Sequence, residues 1–515
     1  MANFSSHFIS VPKQGETSLN LRRKSDIIFA KGKTAMKTSR LDFLKGVASS
    51  AGFASLGIGR IFAAPEGWKP PRNPNITFGV VSDTHLRTDR TGKKIDMQSW
   101  PDKYLAAAFR HFHEQNVDAV VHCGDMADRG QIVEMQAHAD VWRRFFPDGR
   151  SADGRKVEKL FVMGNHDVDG YDYGRGFRVD QIYHVPEELK KHILATDLSG
   201  WWERIWGEKY EPVWHKEVKG YHFFGLHWGA KEADLERLIA ARRKPCGLDE
   251  GVRPFFFLTH AITHADFNKA VRAYKNGFGF FGHWHMSAAN WKAMRLLEGA
   301  TPSVQCPAMY PFFDDGKWLG GGDKGISVAP LEDELQAGSW RQGLIVRVYD
   351  DMLVISRHEY SEGGSLGADW IMPLDWARRT GNRGRARHPF SIAELKTKIG
   401  NPQFRSGAKL IVESSNSDIR LSIPYPDGNP GSRAYAFDVV VIGDEWEKKL
   451  FKSVYAAGAN MGVGHESNGG VTTLKIPAKE LPRGNVLTIS VRPITSLGTR
   501  GRSIRAEWRN VPSPC

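Results

Sequence analysis

Five short apolar runs in this chain each stop at a turn carrying Asp, Asn or His. Ile76-Thr77-Phe78-Gly79-Val80-Val81 runs into Ser82-Asp83-Thr84-His85. Asp118-Ala119-Val120-Val121-His122-Cys123 runs into Gly124-Asp125. Lys159-Leu160-Phe161-Val162-Met163 runs into Gly164-Asn165-His166-Asp167. Phe255-Phe256-Phe257-Leu258 ends at Thr259-His260, and Gly277-Phe278-Gly279-Phe280-Phe281 ends at Gly282-His283-Trp284-His285. Apolar runs of this length bounded by turn residues read as buried strands. Helical stretches lie between them. Residues 101–115 place Tyr104, Leu105, Ala108, Phe109 and Phe112 on one face, a polar helix follows near 131–145, and Ala230 to Arg243 is amphipathic. Strands alternating with helices predict a layered α/β domain, whose ligands gather on loops at strand ends.

The rest of the chain is read in the same way. Tyr221 to Leu226 is a further strand, ending at His227. Residues 170–215 crowd Trp201, Trp202, Trp206 and Trp214 together; core packing of an insertion and a wall of a cleft both fit. Leu344 to Val348 and Met352 to His358 form a hairpin around Tyr349-Asp350-Asp351. Arg378, Arg379, Arg383, Arg385 and Arg387 then mark a basic linker or surface loop. Beyond it, alternating runs at 409–412, 419–423, 435–442, 472–476 and 486–491, separated by Gly and Pro, predict an antiparallel β-sandwich.

A chain of 515 residues exceeds one hydrophobic core, so at least two domains are expected. The net charge of +13 fits a solvated basic surface or attraction to an anionic substrate, and no nucleic-acid module is recognisable. Cys123, Cys246, Cys306 and Cys515 are widely spaced without a CxxC pair, which argues against a disulfide framework and a structural zinc knuckle. Near the N-terminus, Ser39-Arg40-Leu41-Asp42-Phe43-Leu44-Lys45 precedes a weakly apolar run from Gly46 to Phe62, then Ala63, Ala64 and Pro65. A basic start, a short apolar core and a small-residue exit predict a secretory signal, too short for a membrane span. The block resembles a twin-arginine signal in which Leu41 replaces the second Arg, and a signal read from Met36 is complete. The expected organisation is therefore residues 1–35 upstream of the true start, a signal over 36–65, a catalytic domain over 73–362, a linker over 363–388 and a β-sandwich over 389–515. Periplasmic or extracellular location is expected.

The residues at the five strand ends are Asp83, His85, Asp125, Asn165, His260, His283 and His285. Carboxylate and imidazole suit divalent transition ions. Seven ligands are too many for one tetrahedral ion but suffice for two ions sharing a carboxylate. Such ions, about 3.5–4 Å apart, can hold a hydroxide between them and clamp an in-line displacement at phosphorus. A nearby His would then serve as general acid, and His166 does not need to fill the metal shell. His264 competes with His260, because Thr263-His264-Ala265 repeats Thr259-His260-Ala261; His260 is preferred as it directly follows a strand. His227 either lines the site or packs, His122 reads as core, and Arg129 reads as a phosphate contact or a surface residue.

Taken in order, Asp83-Thr84-His85, Gly124-Asp125-Met126-Ala127-Asp128, Gly164-Asn165-His166-Asp167, His260 and Gly282-His283-Trp284-His285 resemble the calcineurin-like metallophosphoesterase superfamily over about residues 75–290. The resemblance implies a four-layer sandwich of two mixed sheets flanked by helices. It implies that Asp83, His85 and His285 bind one metal, that Asn165, His260 and His283 bind the second, and that Asp125 bridges them. His166 would meet the leaving group or a phosphate oxygen. Asp128 would orient a ligand or water, and Asp167 would fix the loop. The ions would be Mn, Fe or Zn, divalent or trivalent, and the substrate a phosphomonoester or phosphodiester. Purple acid phosphatases in this superfamily carry Tyr where Asp128 stands, so that branch is disfavoured. The sandwich admits another role, contact with a surface or wall polysaccharide, which would make binding the main function.

Overall fold

Phe78 shows how the apolar runs assemble. In the computed structural model its ring lies 5.5, 5.3 and 5.6 Å from those of Phe223, Phe256 and Phe280, each edge to face. Those three rings belong to a second sheet, so the two sheets pack face to face through their apolar sides. The structure describes residues 62–63, 72–86, 101–169, 190–248, 253–261, 276–295, 302–309, 341–361, 363–374, 396, 400–415, 418–426, 432–460 and 471–509.

The strands of the two large sheets are β1 (Phe62–Ala63), β2 (Ile76–Val81), β3 (Ala119–Cys123), β4 (Glu158–Val162), β5 (Val213–Val218), β6 (Tyr221–Leu226), β7 (Phe255–Thr259), β8 (Gly277–Phe281), β9 (Met294–Arg295), β10 (Ser303–Gln305), β11 (Gln342–Val348), β12 (Met352–Glu359) and β13 (Trp370–Pro373). The first sheet has the order β1-β13-β12-β11-β2-β3-β4 and the second β5-β6-β7-β8-β10-β9. Both are mixed: β2, β3 and β4 run parallel, as do β6, β7, β8 and β10, while the flanking strands pair antiparallel. Period-2 alternation sorts each strand. Ile76, Phe78 and Val80 enter the core between the sheets, whereas Val81 and Val120 face helices α1 (Pro101–Glu114) and α2 (Ile132–Phe145) through Leu105, Phe109, Phe112 and Trp142. On the far side, Phe224, Phe255 and Phe257 pack on Leu235 and Ile239 of a helix at Glu232–Arg242. Helices therefore cover both outer faces.

Three of the four tryptophans of the insertion are core residues, and Trp201 is half-buried. Trp202 and Trp206, on a helix at Leu198–Trp206, and Trp214, on β5, are all buried. Two stretches differ from the expected organisation. Trp370–Pro373, within the expected linker, pairs with β12 because Trp370 is buried, 4.6 Å from the Arg357 guanidinium and 5.5 Å from the Trp291 ring. Phe62–Ala63, within the expected signal, adds an edge strand on β13. Residues 1–61, the arginines at 378–387 and His264 lie outside the described residues. No helix among the described residues is long and apolar enough to cross a membrane.

The C-terminal strands are β14 (Ile411–Ser415), β15 (Asp418–Pro424), β16 (Ala436–Ile442), β17 (Leu450–Tyr455), β18 (Val471–Ile476), β19 (Val486–Ile494) and β20 (Ile504–Arg509). They form antiparallel sheets β14-β15-β18 and β17-β16-β19-β20 around one core, with Ile419, Leu421 and Leu474 facing Phe437, Val439, Ile489 and Val491. This sandwich docks on the two-sheet part. Leu497 joins the core between the large sheets, and the Trp291 N–H donates to Ser496 Oγ at 2.9 Å.

Candidate metal centre

Because the central strands of both sheets run parallel, their C-terminal ends open on one side, and the turns that follow them meet there. Five of the seven strand-end residues hold a left-handed backbone: Asp83 (φ 52°), His85 (43°), Asp125 (57°), His283 (75°) and His285 (46°). Each such residue costs about 1–3 kcal/mol, so the surrounding packing must fix it. The gain is convergence. These turns release the side chains from the alternation of a strand and aim them at common points.

Two groups result. Ligand atoms of Asp83, His85, Asp125 and His285 lie within 4.8 Å of one another, and those of Asp125, His260 and His283 do the same. In the first group His285 Nε2 is 3.2 Å from Asp83 Oδ1 and 3.1 Å from His85 Nε2. In the second, His260 Nε2 is 3.1 Å from Asp125 Oδ2 and 3.3 Å from His283 Nδ1. Asn165 Oδ1 completes it, 2.9 Å from both His260 Nε2 and His283 Nδ1. Asp125 belongs to both groups.

The donor chemistry fits cations. His260 Nδ1 donates to the Cys123 carbonyl at 2.7 Å, which leaves Nε2 facing the Asp125 carboxylate and the Asn165 carbonyl oxygen. A neutral ring would set a lone pair against two acceptors. Burial pushes the His260 imidazole down, but the Asp125 carboxylate outweighs it and holds the pKa up at about 9. A site that retains a proton on a fully buried imidazole is one whose oxygens call for positive charge, and a metal ion can supply it instead. Burial likewise opposes ionisation of Asp83 and Asp125, yet the neighbouring His285 and His260 respectively hold both carboxyls below the usual range.

The supporting residues are each engaged. Asp128 Oδ1 accepts from His85 Nδ1 at 3.1 Å, which orients that ring. Asp167 accepts from the Gly164 N–H at 2.8 Å and the Ala127 N–H at 2.7 Å, tying the turn after β4 to the turn after β3. Burial and then repulsion from Asp125 push the Asp167 carboxyl up to about 7. His166 is the second residue of the short helix Asn165–Val168; its N–H donates to Asp125 Oδ1 at 2.9 Å, and its Nδ1 donates to the Asp128 carbonyl at 2.7 Å. The His166 ring lies 4.5 Å from that of His85 and is half-buried. Arg129 Nε is 3.8 Å from Asp128 Oδ2, while its buried Nη1 has no hydrogen-bond partner.

His227 packs behind the site. Its Nδ1 accepts from the Met163 N–H at 2.9 Å, and its ring meets Tyr210 at 4.9 Å and Trp202 at 5.1 Å. His122, also buried, bridges the Gly124 N–H and Thr84 Oγ1. Sequence reasoning missed Trp228, whose ring stacks on His283 at 5.9 Å and meets His260 edge-on at 6.0 Å. Its only sequence signal was its place directly after His227. It also missed Gln305, whose Nε2 donates to the Gly282 carbonyl at 2.6 Å.

Buried neutral histidines give a pH prediction. Burial pushes the imidazoles of His227 and His358 down to about 3. Between pH 6.5 and 3 the unfolded chain takes up these protons and the folded one does not. Stability from both groups is therefore complete above pH 6.5 and falls as the pH drops, at up to about 1.4 kcal/mol per pH unit for each. The His358→Phe chain should show a shallower loss of denaturation midpoint between pH 6.5 and 4.5 than the native chain; parallel curves would contradict this.

Comparison with known families decides the fold's kinship. Residues 76–287 match the calcineurin-like phosphoesterase family. This segment is similar to calcineurin-like phosphoesterase domains. Among solved structures, a dimetal phosphatase from Danio rerio is similar at 10% identity and TM-score 0.32, covering 59% of this chain and 100% of that one. A purple acid phosphatase from yellow lupin seeds is similar at 13% identity and TM-score 0.35, covering 59% of this chain and 55% of that one. Zinc-bound Vps29 from Entamoeba histolytica is similar at 11% identity and TM-score 0.24, covering 58% of this chain and 99% of that one. No curated protein matches the sequence.

Proposed function

We propose that this chain hydrolyses phosphate esters with two metal ions, one held by Asp83, His85, Asp125 and His285 and the other by Asp125, Asn165, His260 and His283. The observation that carries this reading is the pair of donor groups sharing the buried Asp125. Bound ions would supply Lewis-acid stabilisation of phosphoryl oxygens and a water of lowered pKa. The chain's own residues do the rest. Asp128 and the Cys123 carbonyl fix the rings of His85 and His260, and Asp167 locks the two turns in register. Arg129, with its unpartnered Nη1, is suited to hold a phosphate oxygen. The hydrogen bond from His166 Nδ1 to the Asp128 carbonyl orients that ring so that it acts through Nε2. In its imidazolium form it gives the Nε2 proton to the departing oxygen.

His166→Ala should keep the metal content and slow esters with poor leaving groups by about 10²–10⁴-fold, the usual share of a general acid. Activated esters, whose leaving groups need no proton, should be slowed far less. Equal slowing of both classes would contradict the acid role. A panel of phosphomonoesters and phosphodiesters tested on metal-loaded protein distinguishes the two substrate classes, and no turnover of either would sink the reading. Export rests on the signal-like segment from Met36 to Pro65. A mature N-terminus near Pro65 in the cell-envelope fraction would support it; an uncleaved cytoplasmic chain would contradict it.

A further inference from the structure

A separate group of metal-type side chains lies away from the strand ends. His215 on β5, His222 on β6 and Cys246, just past the helix Glu232–Arg242, place ligand atoms within 4.8 Å of one another. The strand register explains the first two. His215 pairs with Phe224, so His222, two residues from Phe224, shares its face. That face is the outer one, where Phe224 packs beneath the helix and Cys246 packs against the same cluster. The chain after the helix then returns Cys246 to the hairpin, with its N–H bonded to the Arg242 carbonyl at 2.9 Å.

The spacing is that of a coordination shell. His215 Nε2 is 3.2 Å from His222 Nδ1 and 3.8 Å from Cys246 Sγ. Tetrahedral zinc, with bonds of about 2.0–2.1 Å to nitrogen and 2.3 Å to sulfur, sets neighbouring ligand atoms roughly 3.3–3.6 Å apart. Glu217 pairs directly with His222 across the hairpin and brings Oε2 to 3.9 Å from His222 Nδ1. Two imidazoles, one thiolate and one carboxylate would neutralise a divalent ion. The site is half-buried, open enough for entry and shielded enough to hold an ion.

We infer that His215, His222 and Cys246 form a separate site for a borderline-soft divalent cation such as zinc, with Glu217 or water as the fourth ligand. It is independent of the phosphoesterase centre and shares no residue with it. Its effect is to tie the segment after the helix to the β5–β6 hairpin. Charges around it act both ways: Glu217 favours a cation, while Arg242 and Arg253 on neighbouring segments oppose one. Burial holds both imidazoles below their ordinary pKa, His215 at about 4, so they are in the ligating neutral form at pH 7. Burial raises the Cys246 thiol, so binding must release its proton and should strengthen as pH rises.

A thiolate-to-cobalt band separates this site from the other centre, because none of the seven residues of that centre is a thiolate and, of the other described cysteines, the buried Cys123 and Cys306 lie outside both donor sets. The full chain, stripped of metal and titrated with cobalt, should develop a thiolate-to-cobalt charge-transfer absorption in the near ultraviolet. Cys246→Ser should abolish that band and lose one zinc equivalent by elemental analysis, with its circular dichroism unchanged. His222→Ala should lose the same equivalent, which guards against misfolding of one variant. A native chain without the thiolate band, or equal zinc counts in the native chain and both variants, overturns the assignment.

Discussion

Asp125→Asn is expected to release both ions and to lower phosphate-ester hydrolysis by at least about 10³-fold, or roughly 4 kcal/mol of transition-state stabilisation. The carboxylate is buried and belongs to both donor groups, so under the proposed function its charge would serve two ions at once. Asn has nearly the same shape and can still accept the His166 N–H that now reaches Asp125 Oδ1 at 2.9 Å. What it removes is the negative charge that faces His260 Nε2 at 3.1 Å. Neither group then has enough charge to offset burial of a divalent ion. Elemental analysis of the purified variant checks this, and two retained equivalents would refute the bridge. Without metal, the same substitution should lower the His260 pKa from about 9, because the carboxylate that raises it is gone.

Gly164→Ala is expected to be nearly as damaging through backbone geometry alone. A Cβ at Gly164 would sit 2.1 Å from Asp125 Oδ1 and 2.5 Å from the Asp125 N. The second contact is with backbone, so rotating a side chain cannot relieve it. The turn after β4 must move away from the turn after β3, against the hydrogen bonds through Asp167 that tie them. Overpacking of this kind costs about 1–3 kcal/mol of stability. Displacing the Asp125 carboxylate by about 1 Å is expected to cost on the order of 10²-fold in rate. Thermal unfolding and kcat/KM measured on the same preparation check both effects; a chain of native stability and rate would contradict the close approach. Gly124 is constrained in the same manner, with φ at 93° and a Cβ position 2.5 Å from His260 Nδ1.

Strands and helices that carry strong periodicity were legible in the sequence. Phe255 to Leu258 can only be a buried strand, and residues 101–115 show their apolar face plainly. The motifs at the strand ends were legible because their residue types are uncommon after apolar runs and because they come in a fixed order. What escaped was set by tertiary contact. β17 lacks regular alternation and exposes Phe451, and β20, which does alternate, is an edge strand whose apolar side is only half-buried. Trp370–Pro373 is too short to register as a strand until Trp291 and Arg357 are seen against it. Trp228 and Gln305 act through a ring face and a carbonyl contact that no spacing encodes. His215, His222 and Cys246 are seven and 24 residues apart along the chain, and only the register of β5 on β6 and the return of the chain after the helix unite them.

The central claim is that two ions sit on either side of Asp125. Anomalous diffraction from crystals of the manganese-loaded chain tests it most directly. The account predicts two peaks about 3.5–4 Å apart, one among Asp83, His85 and His285 and the other among Asn165, His260 and His283, with Asp125 between them. A single peak, or two peaks with Asp125 touching only one, would contradict it.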